Sequence, residues 1–491
     1  MLNRTTLVPL LLASTALAGT PPPADEKPTN YFPGFERPAF PEGAIEGPAA
    51  GKPIIYIVVD ALRPNNLSTY GYSRDTSPVL SKLADEGVVF TRYIANAPWT
   101  KAATTSMLTG LITAEHRTQG HNDKLPTDVG TFAQQLKKVG YTTLAVVGNG
   151  NASSAFGLNK GFDVYEDTVK NWKGLPKAEE VFRMGLELLK QHKGKKKVFL
   201  FLFTLDPHVP YLAWPPYDTM YVEKRDRDAK LIDKPHWEYK NNYPKPQWRK
   251  MVATYDGLIR YTDDELGKLI AGIKELGFYD DATIMFTADH GESFGEHGIY
   301  RHGHHHYETH LRIPLVIRAP WIKPEARGTH SSALLQQIDL FPTFAELTGA
   351  RYPKSLDGVS MLDALRDRAK VPVPRYVISE YACYGIHRAA IRTRQYKLIF
   401  QMPADEAMFM KHVKKKELLP SVSFDKEVFH LFNVLTDPKE LTNVWAQHKD
   451  GVGARLLKIL KREIRVDGES VKAGDLDPAL IEELRSMGYV Q

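Results

Sequence analysis

The sequence contains four continuous apolar runs, and each of them ends abruptly in polar residues. Continuous rather than alternating apolar runs are typical of parallel strands that helices cover on both sides. Segments with helical character lie between the runs, so strand and helix alternate along the chain. The pattern predicts an α/β fold with a mostly parallel central sheet and helices on both faces. The predicted strands are Ile54–Val59, Thr142–Val147, Val198–Thr204 and residues 284–287, and the predicted helices are residues 77–86, 131–139 and 259–276.

The polar residues that follow these runs are candidates for a functional site, because ligands of open α/β sheets bind beyond the carboxyl ends of the strands. Asp60 follows the first run, Asp206 and His208 follow the third, and Asp289 and His290 follow the fourth. Carboxylate and imidazole groups are ligand types that divalent metals bind. Taken alone, Asp289 can equally be the cap of a helix.

A further candidate is Thr100, within residues 95–111 (ANAPWTKAATTSMLTGL). Pro98 and Trp99 end an extended segment, and residues 102–108 have helical character that stops at Gly110. Thr100 is therefore expected near a helix N-terminus, where free amide groups and the helix dipole favour an anion. A threonine in such a position can also be no more than the N-cap of the helix.

The first 18 residues have the features of a secretory signal peptide: Arg4, an apolar run over residues 7–18 too short to span a bilayer, and an Ala-Leu-Ala end. No later apolar stretch reaches spanning length, which predicts an exported, periplasmic or extracellular protein without a transmembrane anchor. Residues 19–50 are rich in Pro, Gly and charge and predict a flexible leader. The net charge of +6 over 491 residues is small and argues against nucleic-acid binding.

The pattern changes after about residue 370. Residues 388–401 and 427–434 are typical of strands joined by longer loops, which predicts a small antiparallel sheet. The expected organisation is a catalytic domain over residues 51–372, an α+β subdomain with an antiparallel sheet over residues 373–445, and a helical tail over residues 446–491. Within the tail, Asp477 and Pro478 mark the start of a short helix expected over residues 476–488.

Several short motifs occur in one order along residues 52–445: VVDALRPNNLSTYGY, APWT with MLTG, TLDPHVPY, TADHGESFGEHG, RHG before YETHLRIPLVI, LLQQIDLFPTFAELTG, and YKLI with LFNVLTDPKELTNV. Each motif is weak alone, but the ordered set resembles the sulfatase family of the alkaline phosphatase superfamily. The resemblance implies an alkaline-phosphatase-like fold and an enzyme that cleaves anionic sulfuric or phosphoric esters with the help of a divalent metal ion.

The resemblance also implies roles for individual residues. Asp60, Asp289 and His290 would hold one divalent cation, and Thr100 would occupy the position of the nucleophile and complete the coordination.

Several histidines of this sequence match other positions of the family. His208 and His302 would bind the ester oxyanion and protonate the leaving group, and His304 and His116 would line the substrate pocket. The remaining histidines of the same stretch, His305, His306 and His310, are expected to be loop or surface residues.

Two departures from the family pattern affect the chemistry. Sulfatases usually carry paired aspartates after the first strand, whereas Asp60 is followed by Ala61, so one metal ligand is absent. They also carry Cys or Ser in a C/S-x-P-S-R motif that is oxidised to formylglycine, whereas this chain has Thr100 and, in place of Arg, Thr104. Oxidation of a threonine would give a ketone rather than an aldehyde, so no formylglycine is expected.

The Thr100 hydroxyl, activated by a metal ion, can still attack phosphorus in line and form a covalent intermediate that water hydrolyses. This Thr variant resembles the phosphonate monoester hydrolases and the lipoteichoic-acid-synthase-like enzymes. Ligands of three oxygens and one nitrogen suit Ca²⁺, Mn²⁺ or Mg²⁺, and Zn²⁺ is also compatible. Asp206 and His208 can contribute to a second metal, but no complete second ligand set is present.

The leading hypothesis is an exported, metal-dependent hydrolase or transferase of phosphoric, phosphonic or sulfuric esters with Thr100 as the nucleophile. One alternative is a true sulfatase that uses unmodified Thr100. Another is a catalytically silent member of the fold that binds anionic glycans or envelope polymers, which the missing second aspartate and the missing arginine favour. Retention of the whole remaining set of candidate residues speaks against a silent protein.

Overall fold

The computed structural model describes residues 47–167, 177–236, 238, 243–351, 356–366, 376–413, 419–464, 471–472, 478 and 480. The predicted signal peptide and residues 19–46 of the predicted leader lie outside these residues, as does the predicted helix over residues 476–488 except for residues 478 and 480. Residues 47–50 form a turn, in which Ala49 is buried and donates a backbone hydrogen bond of 2.9 Å to Leu347 O.

The strands of the described residues belong to two larger sheets and two short ribbons. In chain order they are β1 (Ile54–Val59), β2 (Gly87–Ile94), β3 (Asp123–Lys124), β4 (Thr142–Val147), β5 (Val164–Asp167), β6 (Val198–Thr204), β7 (Thr283–Ala288), β8 (Ser293–Phe294), β9 (Tyr300–Arg301), β10 (Arg312–Arg318), β11 (Thr329–Gln336), β12 (Val377–Cys383), β13 (Ile386–Arg392), β14 (Tyr396–Gln401), β15 (Val428–Asn433) and β16 (Val471–Lys472).

The central sheet has eight strands in the order β11-β2-β10-β7-β1-β6-β4-β5. Neighbouring strands run parallel except at β10, which is antiparallel to both β2 and β7. Every residue of β1, β6 and β7 is buried, which requires cover on both faces of the sheet because successive side chains point to opposite faces. The predicted α/β class with a mostly parallel central sheet is confirmed.

The helices alternate with the strands through the first two thirds of the chain. They are α1 (Pro78–Asp85), α2 (Thr100–Thr109), α3 (Thr113–His116), α4 (Phe132–Lys138), α5 (Ala178–Gln191), α6 (Lys245–Glu275), α7 (Glu308–Leu311), α8 (Leu340–Thr348), α9 (Leu362–Arg366), α10 (Glu406–His412), α11 (Trp445–His448) and α12 (Ala454–Glu463), with a π-helical segment at Lys449–Gly453.

The three predicted helices correspond to α1, α4 and the second half of α6. The α4 helix begins with a capping box, in which Thr131 Oγ1 accepts from Gln134 N and Gln134 Oε1 accepts from Thr131 N. The α6 helix is longer than predicted, because Met251, Tyr255 and Leu258 extend its buried face about two turns towards the N-terminus of the helix.

A smaller antiparallel sheet with the order β12-β13-β14-β15 follows the central sheet in the chain. Residues 388–401, predicted as a strand segment, form most of β13 and all of β14 with a tight turn between them, and the predicted strand over residues 427–434 corresponds to β15. Leu456 and Leu460 of α12 pack in one apolar cluster with Ile391 and Leu398 of this sheet. The division into domains at residues 51, 373 and 446 stays a prediction.

The sheet order brings the carboxyl ends of β7, β1, β6 and β4 side by side. In the strand register, Val59 lies opposite Ala288 on one side and Thr204 on the other, and Val147 lies opposite Phe203. The polar residues that follow these four strands are therefore level with one another at one edge of the sheet. Among the described helices, none is both long enough and apolar enough to cross a lipid bilayer.

A buried ion-pair group joins the chain after β9 to the smaller sheet. Glu308 lies 2.9 Å from Arg392 Nε and 3.3 Å from Lys397 Nζ, and Lys397 Nζ lies 2.8 Å from Glu440. Burial alone would raise the pKa of Glu308, but the charges of Arg392 and Lys397 outweigh it and hold this pKa at about 2. Glu308 therefore stabilises the fold as a carboxylate.

We expect Glu308→Gln to lower the free energy of unfolding at pH 7 by on the order of 3 kcal/mol, since it leaves buried cations without part of their counter-charge. Because the folded pKa lies below the unfolded value of about 4.3, the contribution of Glu308 is present above pH ~4.3 and is lost as the pH falls towards 2. Urea unfolding at pH 7 and pH 3 measures both effects.

The matched control is Glu427→Gln, which removes the exposed ion pair with Lys461 and should cost less than about 1 kcal/mol. Equal losses for the Glu308 and Glu427 variants at pH 7 would contradict the stabilising role of the buried pair.

Candidate active site

Three buried side chains meet at the carboxyl ends of two neighbouring strands. Asp60 follows β1, and Asp289 and His290 follow β7. One ligand atom from each of the three residues lies within 4.8 Å of the others. The His290 Nε2 atom is 3.6 Å from Asp60 Oδ1 and 3.3 Å from Asp289 Oδ2, and all three residues are fully buried. We call these residues the acidic cluster.

The proton positions in the acidic cluster favour a cation. His290 Nδ1 lies 3.0 Å from Gly291 O, which can only accept a hydrogen bond, so Nδ1 carries the proton and Nε2 presents a lone pair. Asp60 Oδ1 accepts no hydrogen bond from any described residue, and a hydrogen bond from the Thr100 side chain to the Asp289 carboxylate only partly offsets the rise that burial causes in the pKa of Asp289. Three lone-pair atoms therefore converge away from water, and their mutual repulsion is relieved by a positive charge. This donor set fits a divalent metal ion.

Burial raises the pKa of both carboxyl groups in the acidic cluster, and the charge of Asp289 raises that of Asp60 further. The Asn149 side chain opposes this effect, because its Nδ2 donates a hydrogen bond to Asp60 Oδ2. Asn149 Oδ1 is held in turn by the backbone N–H of Asn151 at 2.7 Å. Asn149 thus fixes one oxygen of Asp60 and leaves the other to face the cluster.

Ala61 stands where the family pattern has its second aspartate. Its φ of 53° lies in the left-handed region, which is uncommon for a residue with a side chain. The backbone N–H of Ala61 donates to Asp289 Oδ1 at 3.1 Å, and the N–H of His290 donates to the same oxygen at 2.8 Å. Position 61 therefore contributes a backbone donor that orients Asp289, in place of a carboxylate.

Thr100 is the first residue of α2, and its Oγ1 lies 3.3 Å from His290 Nε2. The residue in the N-cap position is Trp99, so Thr100 is not the cap of this helix. All ten residues of α2 are buried, which makes the helix part of the protein interior. Thr104 lies one turn further along the same helix face, and its Oγ1 has no hydrogen-bond partner among the described residues.

A second buried group lies beside the acidic cluster and consists of Glu292, His302 and His208. His302 Nδ1 is 3.2 Å from each carboxylate oxygen of Glu292, and His302 Nε2 is 3.2 Å from His208 Nε2. His208 Nδ1 contacts Val209 O. The ring centroids of His302 and His290 are 4.3 Å apart, so the two groups form one site. We call the second group the histidine relay.

These contacts determine how many protons the relay holds. His208 Nδ1 carries one proton, because Val209 O can only accept; a second lies between the two Nε2 atoms, and a third lies between His302 Nδ1 and Glu292. Two neutral imidazoles and a carboxylate would hold one proton fewer, so this hydrogen-bonded arrangement has room for one extra proton. Burial raises the pKa of Glu292 to about 8 and lowers the pKa values of His208 and His302, which favours the extra proton on Glu292.

The histidines predicted to line the pocket have different surroundings. His116 is buried, its Nδ1 accepts from Thr118 N at 3.1 Å, and its Nε2 lies 3.1 Å from Ser106 Oγ, so groups of the protein engage both ring nitrogens. His304 is also buried, and its ring packs edge-on against Tyr381 at a centroid distance of 5.2 Å. A role for His116 and His304 in binding substrate stays a prediction.

His305 and His306 lie in a loop, as predicted, whereas His310 lies in α7, and none of the three is a surface residue. Their exposed fractions are 7%, 0% and 0%. His305 Nε2 lies 2.8 Å from Glu238 Oε1, and His310 Nε2 lies 2.8 Å from Arg301 O. These residues are buried because segments distant in sequence cover them, and the local sequence pattern carries no information about that cover.

Asp206 lies outside the acidic cluster. Its Oδ2 accepts a 2.9 Å hydrogen bond from Ala178 N at the start of α5, and burial raises the pKa of this carboxyl group to about 6. Asp206 therefore has the position of a helix cap. Within the part of the chain that the structure describes, the acidic cluster is the one group of three or more His, Cys, Asp or Glu side chains spaced to hold a metal ion.

The sequence interpretation missed three residues of the site: Asn149, Asn151 and Glu292. Asn151 is fully buried, and its side-chain nitrogen and oxygen have no partner among the described residues. Asn149 and Asn151 follow β4 in the same way that Asp60 follows β1, which is the signal that could have identified them. Glu292 lies two residues after His290, but its partner His302 is identifiable only in three dimensions.

Two family models match this chain. Residues 52–350, more than half of the chain, match the model of the sulfatase family, and residues 295–466 match a model described as the C-terminal part of N-sulphoglucosamine sulphohydrolase. The chain is 26% identical over 400 residues to the multifunctional alkaline phosphatase superfamily protein PehA of Trinickia caryophylli, covering 64% of this chain and 77% of that protein. It is 22% identical over 487 residues to an arylsulfatase of Clostridium perfringens, covering 86% of this chain and 96% of that protein.

A crystal structure of the phosphonate monoester hydrolase of Agrobacterium radiobacter has the same fold, with a TM-score of 0.66 and 19% sequence identity over 84% of this chain and 96% of that one. Fold and sequence together therefore define a hydrolase of the alkaline phosphatase superfamily. Within that superfamily, the chain belongs to the sulfatase family.

The acidic cluster predicts opposite effects of one substitution with and without metal. In Asp289→Asn, the retained oxygen can keep the hydrogen bonds from Ala61 N and His290 N, while an amide replaces the oxygen that faces Asp60. In a chelator this change should raise the midpoint of urea unfolding, because it removes a repulsion on the order of a few kcal/mol. With saturating Mn²⁺, the wild type should become the more stable protein, since metal binding to the folded state stabilises it.

The matched control is Asp206→Asn, which changes a buried carboxylate outside the cluster and should respond to Mn²⁺ as the wild type does. Stabilisation of Asp289→Asn and of the wild type by Mn²⁺ to the same extent would show that the metal binds elsewhere.

Proposed function

We propose that this protein hydrolyses phosphoric, phosphonic or sulfuric esters in a metal-dependent reaction whose nucleophile is Thr100. The observation that carries the proposal is the position of Thr100 Oγ1, which lies 3.3 Å from His290 Nε2 at the edge of the acidic cluster. The hydroxyl group is at the N-terminus of a buried helix, where backbone amides and the helix dipole favour an anionic substrate.

Asp60, Asp289 and His290 would hold one divalent cation, with Thr100 Oγ1 as a further ligand. A divalent cation at this place lowers the pKa of a neighbouring hydroxyl and offsets the negative charge that develops on the ester oxygens. Three oxygen donors and one nitrogen suit Ca²⁺, Mn²⁺ or Mg²⁺, and Zn²⁺ is also compatible.

In the first step, Thr100 Oγ1 attacks the phosphorus or sulfur atom in line with the leaving oxygen. The bond to Thr100 forms as the bond to the leaving group breaks, and the hydroxyl proton of Thr100 passes to water. The leaving oxygen takes the extra proton of the histidine relay through His302 or His208. In the second step, a water oxygen bonds to the same phosphorus or sulfur atom as the bond from that atom to Thr100 Oγ1 breaks. The water gives one proton to the relay, and Thr100 Oγ1 takes a proton from solvent. If an alcohol attacked in place of water in this step, the phosphoryl or sulfuryl group would be transferred to that alcohol.

Thr100 acts in this proposal without prior modification. Formylglycine requires a primary carbinol or thiol carbon, and the carbinol carbon of threonine carries a methyl group, so its oxidation stops at a ketone. The tryptic peptide that contains Thr100 should accordingly have the mass calculated from its sequence.

Phosphodiesters and phosphonate monoesters are the substrates that we propose for this chain. The similarity to a phosphonate monoester hydrolase and the hydroxyl nucleophile support this choice. The similarity to an arylsulfatase supports sulfate esters as the alternative. A protein that only binds anionic polymers has no need of both the acidic cluster and the relay.

We also propose that the protein is exported to the periplasm or the cell exterior. Arg4, the short apolar run over residues 7–18 and its Ala-Leu-Ala end support a cleaved signal peptide.

The first test is a panel of nitrophenyl phosphodiester, phosphonate, phosphate and sulfate esters with metal-replete protein. We expect hydrolysis of the phosphodiester or the phosphonate ester, and we expect Thr100→Ala to lower kcat/KM by several orders of magnitude, because the nucleophile is removed.

Thr100→Ser is the matched control, since it keeps the hydroxyl and loses only a methyl group; it should retain most of the activity. Faster turnover of the sulfate ester than of the phosphorus esters would favour the sulfatase alternative. Equal activity of Thr100→Ala and wild type would remove Thr100 from the mechanism, and no hydrolysis by the wild type would favour a binding protein.

The second test concerns proton delivery by His302. We expect His302→Asn to lower kcat/KM by about 10²- to 10⁴-fold for esters of alcohols with high pKa values, which need a proton on the leaving oxygen. For esters of strongly acidic nitrophenols, kcat/KM should change little, because their leaving group departs as an anion. A loss of the same size for both kinds of ester would mean that His302 does not deliver the proton.

A further inference from the structure

The segment His302–His306 contains one residue of the relay and has no regular secondary structure. Gly303 within it has a φ of 112°, and a Cβ atom placed there would meet nothing within 4 Å. The backbone of this segment therefore needs external contacts to hold His302 at 3.2 Å from both Glu292 and His208.

Arg388 of β13 supplies such contacts. It is 5% exposed, and its Nη1 atom donates to His304 O at 2.8 Å and to His305 Nδ1 at 3.0 Å. On its other side, Nε donates to Gln401 Oε1 at 2.7 Å and Nη2 donates to Ser421 Oγ at 2.8 Å. The planar guanidinium group thus binds the histidine segment with one part and the C-terminal region with the other.

The contacts of His305 complete this arrangement. Since Arg388 can only donate, His305 Nδ1 is the unprotonated nitrogen, and Nε2–H donates to Glu238 Oε1 at 2.8 Å. Glu238 also accepts from Ser421 N at 2.9 Å and from Ser421 Oγ at 2.6 Å. Arg388, His305, Glu238 and Ser421 therefore form one hydrogen-bonded network, in which the cation, the carboxylate and the imidazole are buried and Ser421 lies at the surface.

Tyr381 adds a second connection between the smaller sheet and the site. In the register of β12 and β13, Tyr381 lies directly opposite Arg388. Its ring contacts the His304 ring edge-on at 5.2 Å and the Trp99 ring edge-on at 6.4 Å. Trp99 precedes Thr100, so adjacent residues of the smaller sheet contact both the nucleophile side and the acid side of the site.

We propose that Arg388 is a positioning residue of the reaction: it holds the backbone of His304 and the ring of His305, and thereby sets where His302 delivers its proton. The inference rests on the proposed function, because it assigns the delivery of the proton to His302. A residue that only stabilises the fold would affect all substrates alike, whereas a residue that positions an acid affects the substrates that need the acid.

The experiment measures kcat/KM for a series of esters whose leaving alcohols span a wide range of pKa values. Arg388→Lys keeps the charge but replaces the planar fork with a single ammonium group, which cannot make the same set of hydrogen bonds. We expect kcat/KM to fall on the order of 10²-fold for the least acidic alcohols, as a displacement of about 1 Å can cause, and to change less than about threefold for nitrophenols.

Three further proteins make the result decisive. In the double variant His302→Asn with Arg388→Lys, the second substitution should add little to the first, because the acid that Arg388 positions is already absent. Ser421→Ala removes one hydrogen-bond partner of Arg388 and should lower kcat/KM for the same esters by a smaller factor. This variant provides the test if Arg388→Lys does not fold. Arg318→Lys is the matched control.

Arg318 is also a buried arginine with several hydrogen bonds, to Glu86 Oε2, Tyr279 O and Ala282 O. It lies opposite Ile284 at the start of β7, at the far edge of the central sheet from the site. Arg318→Lys should lower the urea midpoint of unfolding without changing the dependence of kcat/KM on the leaving group.

The positioning role would be overturned if Arg388→Lys lowered kcat/KM equally for all leaving groups or did not lower it at all. It would also be overturned if the effects of Arg388→Lys and His302→Asn on kcat/KM were fully additive. Failure of the proposed function would give a different result. Either the wild type would show no Thr100-dependent hydrolysis of any ester, or His302→Asn would lower kcat/KM equally for all leaving groups.

Discussion

The convergence of three possible ligand atoms in the acidic cluster is the constraint on which the rest of the site depends. The sheet creates it, because Asp60 and Asp289 follow β1 and β7, which are adjacent and end at the same level. Backbone donors from Ala61 and His290 and the amide of Asn149 then hold the oxygens that face away from the cluster. These hydrogen bonds thus orient the three candidate ligand atoms, as the hydrogen-bond partners of ligands do in metal sites.

The site separates two kinds of chemistry into two neighbouring groups. The acidic cluster concentrates negative charge and lies against the hydroxyl of Thr100. The histidine relay has room for one extra proton, which would make it neutral overall. The contact between the His290 and His302 rings joins the two groups at a centroid distance of 4.3 Å. In the proposed reaction, the nucleophile that loses a proton and the acid that gives one are therefore close together but bound to different partners.

The strands and residues that could be predicted from the sequence share one property: each follows from a local pattern. The runs that became β1, β4, β6 and β7 are apolar without interruption, and the polar residues after them mark the site edge. Other strands of the sheet could not be predicted, because polar residues interrupt their apolar runs, such as Thr91 and Arg92 in β2.

The parts of the site that could not be predicted depend on contacts between distant segments. Nothing near His305 in the sequence indicates that Arg388, 83 residues later, will bury it. The tautomers of His290 and His208 likewise follow from backbone oxygens whose positions only the folded chain defines. Local sequence patterns therefore identified residue types and the edge where they meet, but neither the protonation of the site nor the cover of the histidine segment.

The distance in sequence between His302 and Arg388 has a consequence for biosynthesis. A ribosome completes Thr100, both carboxylates and the relay well before it reaches the strand that carries Arg388. A nascent chain at that stage contains every residue of the proposed reaction but lacks Arg388, which contacts the histidine segment. In the proposed reaction, selective proton delivery to the least acidic leaving alcohols would therefore depend on a strand from the last quarter of the chain, whereas cleavage of esters with acidic leaving groups would not.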